Sequence, residues 1–337
     1  MRFNKLDLNQ LVVLDAVLSE CSVKKAANRL FLSQPATSCA LARLREFFED
    51  ELLLQIGKTM VMTPKAQSLQ RPVRDVLLQI QAITTSNPWF DPKTSTRKFT
   101  IESSDYAMNV FLGRVLERAC REAPLMTFDL RLISIHSHAN LENGEVDMLI
   151  VPDIFIAPDH PTERLFEDSW SCVAWAGNRD LDSDLSLKQY LGLGHVVADW
   201  GAGRRVLSDE RIARQLGHVR RREVTAPNFT VIPQLLVGTK RIATLQTRLA
   251  KLFSTTSALR ILSCPLPIPP LVFVSQWHKY REGDLAFSWL RDLIQKVAVG
   301  LERRETLAPA AKRTAQIVPK ARTGARGKQA LPTVRAR

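Results

Sequence analysis

The sequence lacks the features of a membrane or secreted protein. No stretch approaches the ~20 consecutive apolar residues that a membrane span requires. The first seven residues, MRFNKLD, lack the apolar core and the small-residue cleavage site of a signal peptide. We therefore expect a cytoplasmic protein with no membrane partner.

Cysteine is scarce and is not arranged for a metal site or a disulfide framework. The five cysteines are odd in number and include no CxxC pair. They are scattered along the chain: Cys21, Cys39, Cys120, Cys172 and Cys264. His136 and His138 could be metal ligands, but no third ligand is suggested near them, and a polar loop is the simpler interpretation. We expect free thiols, no metal and no cofactor.

Catalytic signatures are also missing. The chain contains no GxSxG, HExxH, P-loop or complete GxGxxG motif. Gly192 and Gly194 begin such a pattern, but the third glycine does not follow. These absences argue against an enzyme, in particular a hydrolase or a dehydrogenase.

Acidic residues are absent from the last part of the chain. The formal net charge is +13, yet eight basic and no acidic residues follow Thr306, so the preceding chain carries only +5. Alanine, proline, glycine and threonine separate these charges, which is typical of disorder. We predict a basic disordered tail over residues 303–337. It either adds sequence-independent attraction to DNA or is a solvated appendage.

Three short helical patterns occupy the N-terminal part. Leucines recur at helical spacing from Leu8 to Leu18, after a possible N-cap at Asp7. A second helix follows Ser22 and carries two small inward residues, Ala26 and Ala27. Ser33 is a suitable cap for a third helix, in whose first turn proline is tolerated.

The third helix has two different faces. Its inward face is predicted to hold Thr37, Ala40, Leu41, Leu44 and Phe48. Its outward face is small near the N-terminus, where a solvated helix would normally carry long charged side chains, and it holds Pro35, Ala36, Ser38, Cys39, Ala42, Arg43 and Glu46. Small residues would allow the helix to enter a DNA major groove, where Gln34, Ser38 and Arg43 can contact bases or phosphates. The alternative is a plain three-helix core whose small face is accidental.

A hairpin pattern follows these helices. Gly57 and Lys58 separate two apolar runs within residues 52–63. We predict a winged helix-turn-helix over residues 1–63, with the helix-turn-helix at about 23–42 and Lys58 as the cation of the wing.

The next segment predicts a long helix that begins after Thr63. Apolar residues alternate at steps of three and four, as in a coiled-coil seam: Ala66, Leu69, Val73, Val76, Ile80 and Ile83. The alternative is an amphipathic helix that packs on its own domain. Pro72 should cost one hydrogen bond and bend the helix. We assign residues 64–90 to this linker helix and a hinge.

Strand and helix patterns alternate through the remainder, which predicts an α/β domain over residues 97–302. First-lobe strands are expected near 99–103, 128–132 and 146–151. A second lobe at about 161–265 carries strands near 171–175, 194–198, 222–225 and 241–244. Residues 271–277 and a helix at 284–299 then return to the first lobe. Two lobes that enclose a cleft form a periplasmic-binding-protein-like architecture.

Ligands of such sheets bind at strand C-termini and helix N-termini. The expected effector-binding residues are Ser103, Ser104, Asp105, Val151, Pro152, His195, Asn228, Phe229 and Trp277. Phe229 could stack on an aromatic ring. Asp105 and Asn228 could instead be helix caps, and His195 could be a structural histidine.

The motif AAxxLxxSQPAxS at residues 26–38, followed by Thr63-Pro64-x-Ala66, resembles the LysR-type transcriptional regulators. This resemblance extends to about residue 300. It implies the DNA-binding set Ser33, Gln34, Pro35, Ala36, Thr37, Ser38, Arg43, Lys58 and Thr63. Two positions depart from the family pattern: Gln55 replaces a frequent arginine, and Thr37 replaces a common aliphatic residue.

The family resemblance also implies partners. It favours dimerisation through the linker helix at Leu69, Val73, Val76, Ile80 and Ile83, and further assembly into a tetramer. The expected target is double-stranded DNA at an interrupted palindrome, and RNA polymerase is an expected partner.

Within the family, the chain is most similar to the nodulation-gene regulators that respond to plant flavonoids, and to regulators of naphthalene and salicylate catabolism. The similar stretches are MRF at 1–3, LDLN at 6–9, HP at 160–161, GHV at 194–196, RIAT at 241–244 and SWLR at 288–291. The implied effector is a flavonoid or an aromatic acid. A solute receptor without a DNA role is the alternative, which the first sixty residues oppose.

Overall fold

The computed structural model describes residues 6–85, 89–181, 184–199 and 208–307. The expected basic tail therefore lies outside the described residues, apart from its first few positions. Among the helices of the described ranges, none combines the length and the apolar character needed to cross a membrane.

The N-terminal module consists of three helices and a hairpin. The helices are α1 (Leu8–Glu20), α2 (Val23–Arg29) and α3 (Gln34–Phe48). The predicted caps are confirmed, because the side chains of Asp7, Ser22 and Ser33 accept hydrogen bonds from first-turn backbone amides. The hairpin pairs β1 (Leu53–Ile56) with β2 (Thr59–Met62). The winged helix-turn-helix predicted from the sequence is thus present.

This module has its own core. Leu14, Leu18, Ala26 and Leu44 are almost completely buried in it. Ala26 has no side chain beyond Cβ, which allows α1 and α3 to approach α2 closely. The core therefore fixes the direction in which α3 presents its opposite face.

The linker helix α4 (Pro64–Thr85) is continuous, with Pro72 inside it. Its first turns complete the N-terminal core, where Val73 is buried and Leu69 packs against the same cluster. Val73, and in part Leu69, therefore pack within their own chain, which disfavours these two residues as members of the predicted dimer seam. Val76 and Ile83 remain exposed.

The first lobe is built on a five-stranded mixed sheet. Its strands are β3 (Lys98–Ser103), β4 (Thr127–Leu132), β5 (Met148–Pro152), β6 (Thr162–Asp168) and β12 (Leu271–Gln276), in the order β4-β3-β5-β12-β6. β3, β4 and β5 are parallel, whereas β12 is antiparallel to both of its neighbours. The helices of this lobe are α5 (Asp105–Ala107), a π-helical turn (Met108–Leu112), α6 (Gly113–Glu122), α7 (Ser137–Glu142) and α12 (Leu285–Leu307).

The second lobe has a similar sheet. Its strands are β7 (Trp170–Trp175), β8 (Gly194–Ala198), β9 (Arg221–Ala226), β10 (Ile242–Gln246) and β11 (Leu259–Ser263), in the order β11-β7-β10-β8-β9. Its helices are α8 (Leu187–Gly192), α9 (Ser208–Gln215), α10 (Ile232–Leu236) and α11 (Thr247–Thr256). The predicted two-lobed α/β domain is confirmed.

Three boundaries differ from the sequence prediction. Residues 162–168 were assigned to the second lobe without a strand, but they form β6, which pairs with β12 in the first lobe, so the second lobe begins near residue 169. The strand β11 was not predicted. The helix α12 continues to Leu307, beyond the expected start of the tail at residue 303, because apolar residues such as Leu301 still pack on the first lobe.

Candidate DNA interface and effector cleft

The exposed face of α3 carries most of the residues predicted to bind DNA. Gln34, Pro35, Ala36, Ser38 and Arg43 are all exposed. The hydroxyl oxygen of Ser33 accepts a hydrogen bond from the amide of Ala36 at 3.3 Å. Small side chains in the first turns leave the helix backbone accessible, and Arg43 projects from the same helix further along. This surface has the dimensions and chemistry of a recognition helix.

Two predicted DNA contacts are corrected by the structure. Thr37 is fully buried, and its hydroxyl donates to the carbonyl of Ser33 at 3.1 Å. Thr63 is also buried, and its hydroxyl donates to Asp50 at 2.6 Å while it accepts from the amide of Ala66 at 3.0 Å. Both threonines therefore hold helix starts in place. The hydrogen bond from Thr63, followed by that from the Leu52 amide, lowers the pKa of Asp50, which keeps this carboxylate ionised.

The wing is attached to α3 by a residue that the sequence analysis missed. The guanidinium of Arg45 donates to the carbonyls of Glu51, at 2.9 Å, and Leu53, at 3.4 Å. At the tip, Gly57 has φ +62°, a conformation that favours glycine. The neighbouring Lys58 is exposed, so its ammonium is free to reach a phosphate. Arg45 lies in the last turn of α3, eight residues before β1, and only the folded hairpin brings it into contact with that strand.

Arg43 and Lys58 should affect DNA binding differently. We expect Arg43→Ala to cost about 1 to 3 kcal/mol at the specific site and to relax sequence preference. We expect Lys58→Ala to weaken binding to all sequences about equally and to reduce the slope of log affinity against log salt by about one. Affinities for operator and random DNA across a salt series would measure both. Equal behaviour of the two variants would contradict the assignment.

The candidate effector cleft lies at the C-terminal edges of the two sheets, where the segment after β3 meets the segment after β9. Ser104 caps α5 by accepting from the amide of Ala107. A carboxylate oxygen of Asp105 crosses the cleft and accepts from both the backbone N–H and the hydroxyl of Thr230, each at 2.9 Å. Asn228 accepts from the amide of Val231 at 3.3 Å, so it caps a turn beside this bridge. The Asp105–Thr230 bridge holds the two lobes together at the mouth of the cleft.

A second connection lies deeper. The hydroxyl of Tyr106 donates to Asp168 at 2.7 Å, and the same carboxylate oxygen accepts from the amide of Arg248 at 3.1 Å. Burial, with Asp168 as the next cause, raises the pKa of Tyr106, so the phenol stays protonated and remains a donor. Asp168, at the end of β6, therefore joins the first-lobe helix α5 to the start of α11 in the second lobe.

Other predicted effector residues are placed less favourably. Val151, Pro152 and Phe229 are buried near the cleft edge. Ser103 is also buried, and its hydroxyl donates to the carbonyl of Ile150 at 2.6 Å. Because all four side chains are buried, none of them is exposed to a ligand.

His195 and Trp277 are corrections. His195 is the second residue of β8 and so lies at the N-terminal edge of its sheet, where its Nε2 is 2.8 Å from the carbonyl of Tyr190. Trp277 follows the antiparallel strand β12 and therefore lies at the sheet edge opposite the cleft, with the Arg291 guanidinium 4.0 Å from its ring centre. Neither side chain is positioned to contact a ligand in the cleft.

Four residues of these connections were not predicted from the sequence: Thr230, Tyr106, Asp168 and Arg248. Thr230 and Tyr106 are immediate neighbours of predicted residues, so proximity was a usable signal. Asp168 and Arg248 had none, because only the crossing of the chain into the second lobe after β6 brings them together. Of the two imagined metal ligands, His138 instead lies with Nε2 2.7 Å from the carbonyl of Phe155, and His136 is exposed.

Comparison with known proteins agrees with this geometry. The family described as bacterial regulatory helix-turn-helix protein, lysR family, matches residues 8–67. The LysR substrate binding domain matches residues 93–299. The match at residues 8–67 disfavours a solute receptor without a DNA role.

Similar proteins cover nearly the whole chain. Nodulation protein D 1 of Rhizobium meliloti is 42% identical over 300 residues, which is 88% of this chain and 97% of the relative. Nodulation protein D 2 of Rhizobium tropici is 42% identical over 298 residues, 88% of this chain and 95% of the relative.

Solved structures show the same architecture. A probable transcriptional regulator from Pseudomonas aeruginosa has a TM-score of 0.60 and 26% identity, covering 87% of this chain and 97% of that one. CbnR, a LysR family transcriptional regulator, has a TM-score of 0.55 at 13% identity, covers 87% of this chain and 99% of its own, and supports the fold alone. With both family domains matched and relatives similar over 88% of its length, the chain belongs to the LysR family of transcriptional regulators, which bind DNA through the helix-turn-helix and carry an effector-binding domain.

Proposed function

We propose that this regulator binds an interrupted palindrome as a dimer, or as a tetramer, and that a small aromatic effector in the cleft changes its action on transcription. The observation that carries this proposal is the Asp105–Thr230 bridge, which links the two lobes at the place where an effector would bind. A ligand that competes for these groups changes the free-energy difference between open and closed lobes.

The linker helix supports the dimer. Val76 is 40% and Ile83 is 73% exposed, on a helix that leads away from the N-terminal core. Apolar side chains repeated on one exposed helix face favour pairing with a second copy. Two paired recognition helices then read two half-sites, one helical turn or a multiple of it apart.

The chemistry of the cleft and the relatives support an aromatic effector. Asp105, Asn228 and Thr230 offer acceptors and donors for hydroxyl or carboxylate groups. The relatives named nodulation protein D share about two fifths of the residues through both domains. Together these features favour a flavonoid or a hydroxylated aromatic acid. We further propose that the protein acts in the cytoplasm and contacts RNA polymerase at the promoter.

Footprinting tests this function. The purified protein is incubated with the intergenic DNA beside its own gene, with and without a panel of flavonoids and hydroxybenzoates. We expect protection over an interrupted palindrome whose extent or bend changes with one of these compounds. The proposal of an aromatic effector would be overturned if the protected region changed with an amino acid or a sugar acid but with none of the aromatic compounds. Sequence-independent binding alone would overturn the promoter function.

The Asp105–Thr230 bridge should set the sensitivity to the effector. Asp105→Ala removes two hydrogen bonds to a carboxylate, and we expect about 1 to 2 kcal/mol less stabilisation of the closed lobes. The half-effective concentration of the active compound should therefore shift by roughly 5- to 30-fold. Asp153→Ala, at an exposed carboxylate of the same lobe, is the matched control. Identical responses of the two variants would remove the bridge from the mechanism.

A further inference from the structure

Three potential metal ligands meet at the edge of the first lobe opposite the cleft. Glu142 is at the end of α7, His160 precedes β6, and His278 follows β12. One ligand atom from each lies within 4.8 Å of those of the other two. The two imidazole rings are 4.6 Å apart, and His160 Nε2 is 3.2 Å from a carboxylate oxygen of Glu142. We call these three side chains the HHE cluster.

The histidines of the HHE cluster are buried with unsatisfied nitrogens. The side chain of His160 is 1% exposed; its Nε2 lies 3.2 Å from Glu142, and its Nδ1 has no hydrogen-bond partner among the described residues. His278 is 2% exposed, and its Nε2 likewise has no hydrogen-bond partner within the described part of the chain. Because buried polar groups are normally paired, such atoms require an explanation, and an absent ion is one.

We propose that the HHE cluster binds a divalent first-row transition metal, for which zinc is the natural probe. Two imidazoles and one carboxylate are ligands typical of such ions, with metal–ligand distances of about 2.0 to 2.2 Å. Ligand atoms around a tetrahedral ion lie ~3.4 Å apart. The cluster therefore needs only small side-chain movements to close on the metal. Water is the fourth ligand, since Glu142 is 28% exposed and leaves an entry path.

Ligation through Nε2 of His278 has one cost. It places the proton of this ring on Nδ1, so the long hydrogen bond that Nδ1 accepts from the amide of Tyr280, at 3.3 Å, is lost.

The HHE cluster also contacts the linker helix. Arg71 of α4 lies 3.7 Å from Glu142 and 3.4 Å from Asp159. A metal on Glu142 displaces Arg71, which retains Asp159 as its partner. Leu78 and Gln81 of the same helix line a small cavity together with His278. Metal binding at the HHE cluster therefore affects how the linker helix packs on the effector domain. This coupling does not involve the cleft.

Direct binding tests this site. Full-length, tag-free protein with reduced thiols is freed of metal by a chelator and titrated with Co²⁺, and the Co²⁺ is then displaced by Zn²⁺. We expect one saturable equivalent per chain, without a thiolate-to-cobalt charge-transfer band. His160→Gln and His278→Gln should abolish it, and Glu142→Gln should weaken it at least tenfold. His136→Gln, at an exposed histidine near the start of α7, should bind as the wild type does.

The variants also guard against a folding defect. If the histidine variants do not fold, Glu142→Gln decides, because Glu142 is only partly buried. Zn²⁺ should raise the melting temperature of the wild type and of His136→Gln much more than that of Glu142→Gln. The proposal is overturned if the chain shows no saturable binding, if Glu142→Gln binds as tightly as the wild type, or if the spectrum shows thiolate ligands.

Discussion

Replacement of Arg74 by methionine is expected to lower the free energy of unfolding of the N-terminal module by about 3 to 5 kcal/mol. The guanidinium lies 2.7 Å from Asp15, and their side chains are only 12% and 9% exposed. Arg74 also donates to Ser19 at 3.1 Å and to the carbonyl of Asn143 at 3.2 Å. Methionine leaves the Asp15 carboxylate buried without its counter-charge. Chemical denaturation of the wild type and of Arg74→Met measures this difference in the free energy of unfolding.

The dependence on pH and a double variant separate this cause from lost packing. Burial raises the pKa of Asp15 in spite of Arg74, and burial likewise lowers the pKa of Arg74. A raised folded-state pKa means that stability is retained at low pH and lost as pH rises through that pKa. The deficit of Arg74→Met should therefore shrink on acidification. Asp15→Leu combined with Arg74→Met should recover most of the loss at neutral pH. Arg71→Met, one turn earlier and exposed, is the control. The buried-charge explanation would be contradicted if the loss of unfolding free energy changed neither with pH nor with the second substitution.

Substitution of Ser38 by glutamate should abolish specific DNA binding while the fold is retained. Ser38 is exposed on the small face of α3, so a longer side chain is tolerated by the free protein. In the complex, it would place a carboxylate against base edges and phosphates in the major groove. Steric overlap and repulsion together should cost at least a hundredfold in operator affinity.

Thr255→Glu is the matched control for this experiment. Thr255 is exposed on α11 of the second lobe, so the same charge is added away from DNA. Its effect should be limited to a small salt-dependent change. Gel-shift titrations with operator and random DNA measure both variants. If Ser38→Glu binds the operator with an affinity within a few-fold of that of Thr255→Glu, α3 does not enter the groove through this face.

The sequence predicted the elements better than it predicted their partners. Caps at Asp7, Ser22 and Ser33 are local signals, because a side chain bonds to an amide two or three residues away. The segment that forms β6, residues 162–168, was assigned to the second lobe because a local sequence pattern does not specify which sheet a strand joins. Its real neighbour, β12, lies about 100 residues further along the chain.

The same reason explains the site residues. The exposed face of α3 follows from helical periodicity, so Gln34, Ser38 and Arg43 were found. Thr37 was included in the interface by family pattern although periodicity placed it inside, and periodicity was correct. His195 and Trp277 were assigned to the cleft because a strand sequence does not reveal which sheet edge its ends occupy. The Asp105–Thr230 bridge required the folded pair of lobes.

The pairing of β6 with β12 has a consequence for the order in which the chain becomes native. Everything needed for the second sheet lies between these two strands, whereas the first sheet lacks β12, the strand that joins β5 to β6, until residue 276 has been made. On the ribosome, the second lobe can therefore fold before the first lobe is complete. During that interval β5 and β6 have unpaired edges, which are open to association with other chains. This exposure ends when β12 has paired and the last helix, which emerges after it, packs on the sheet.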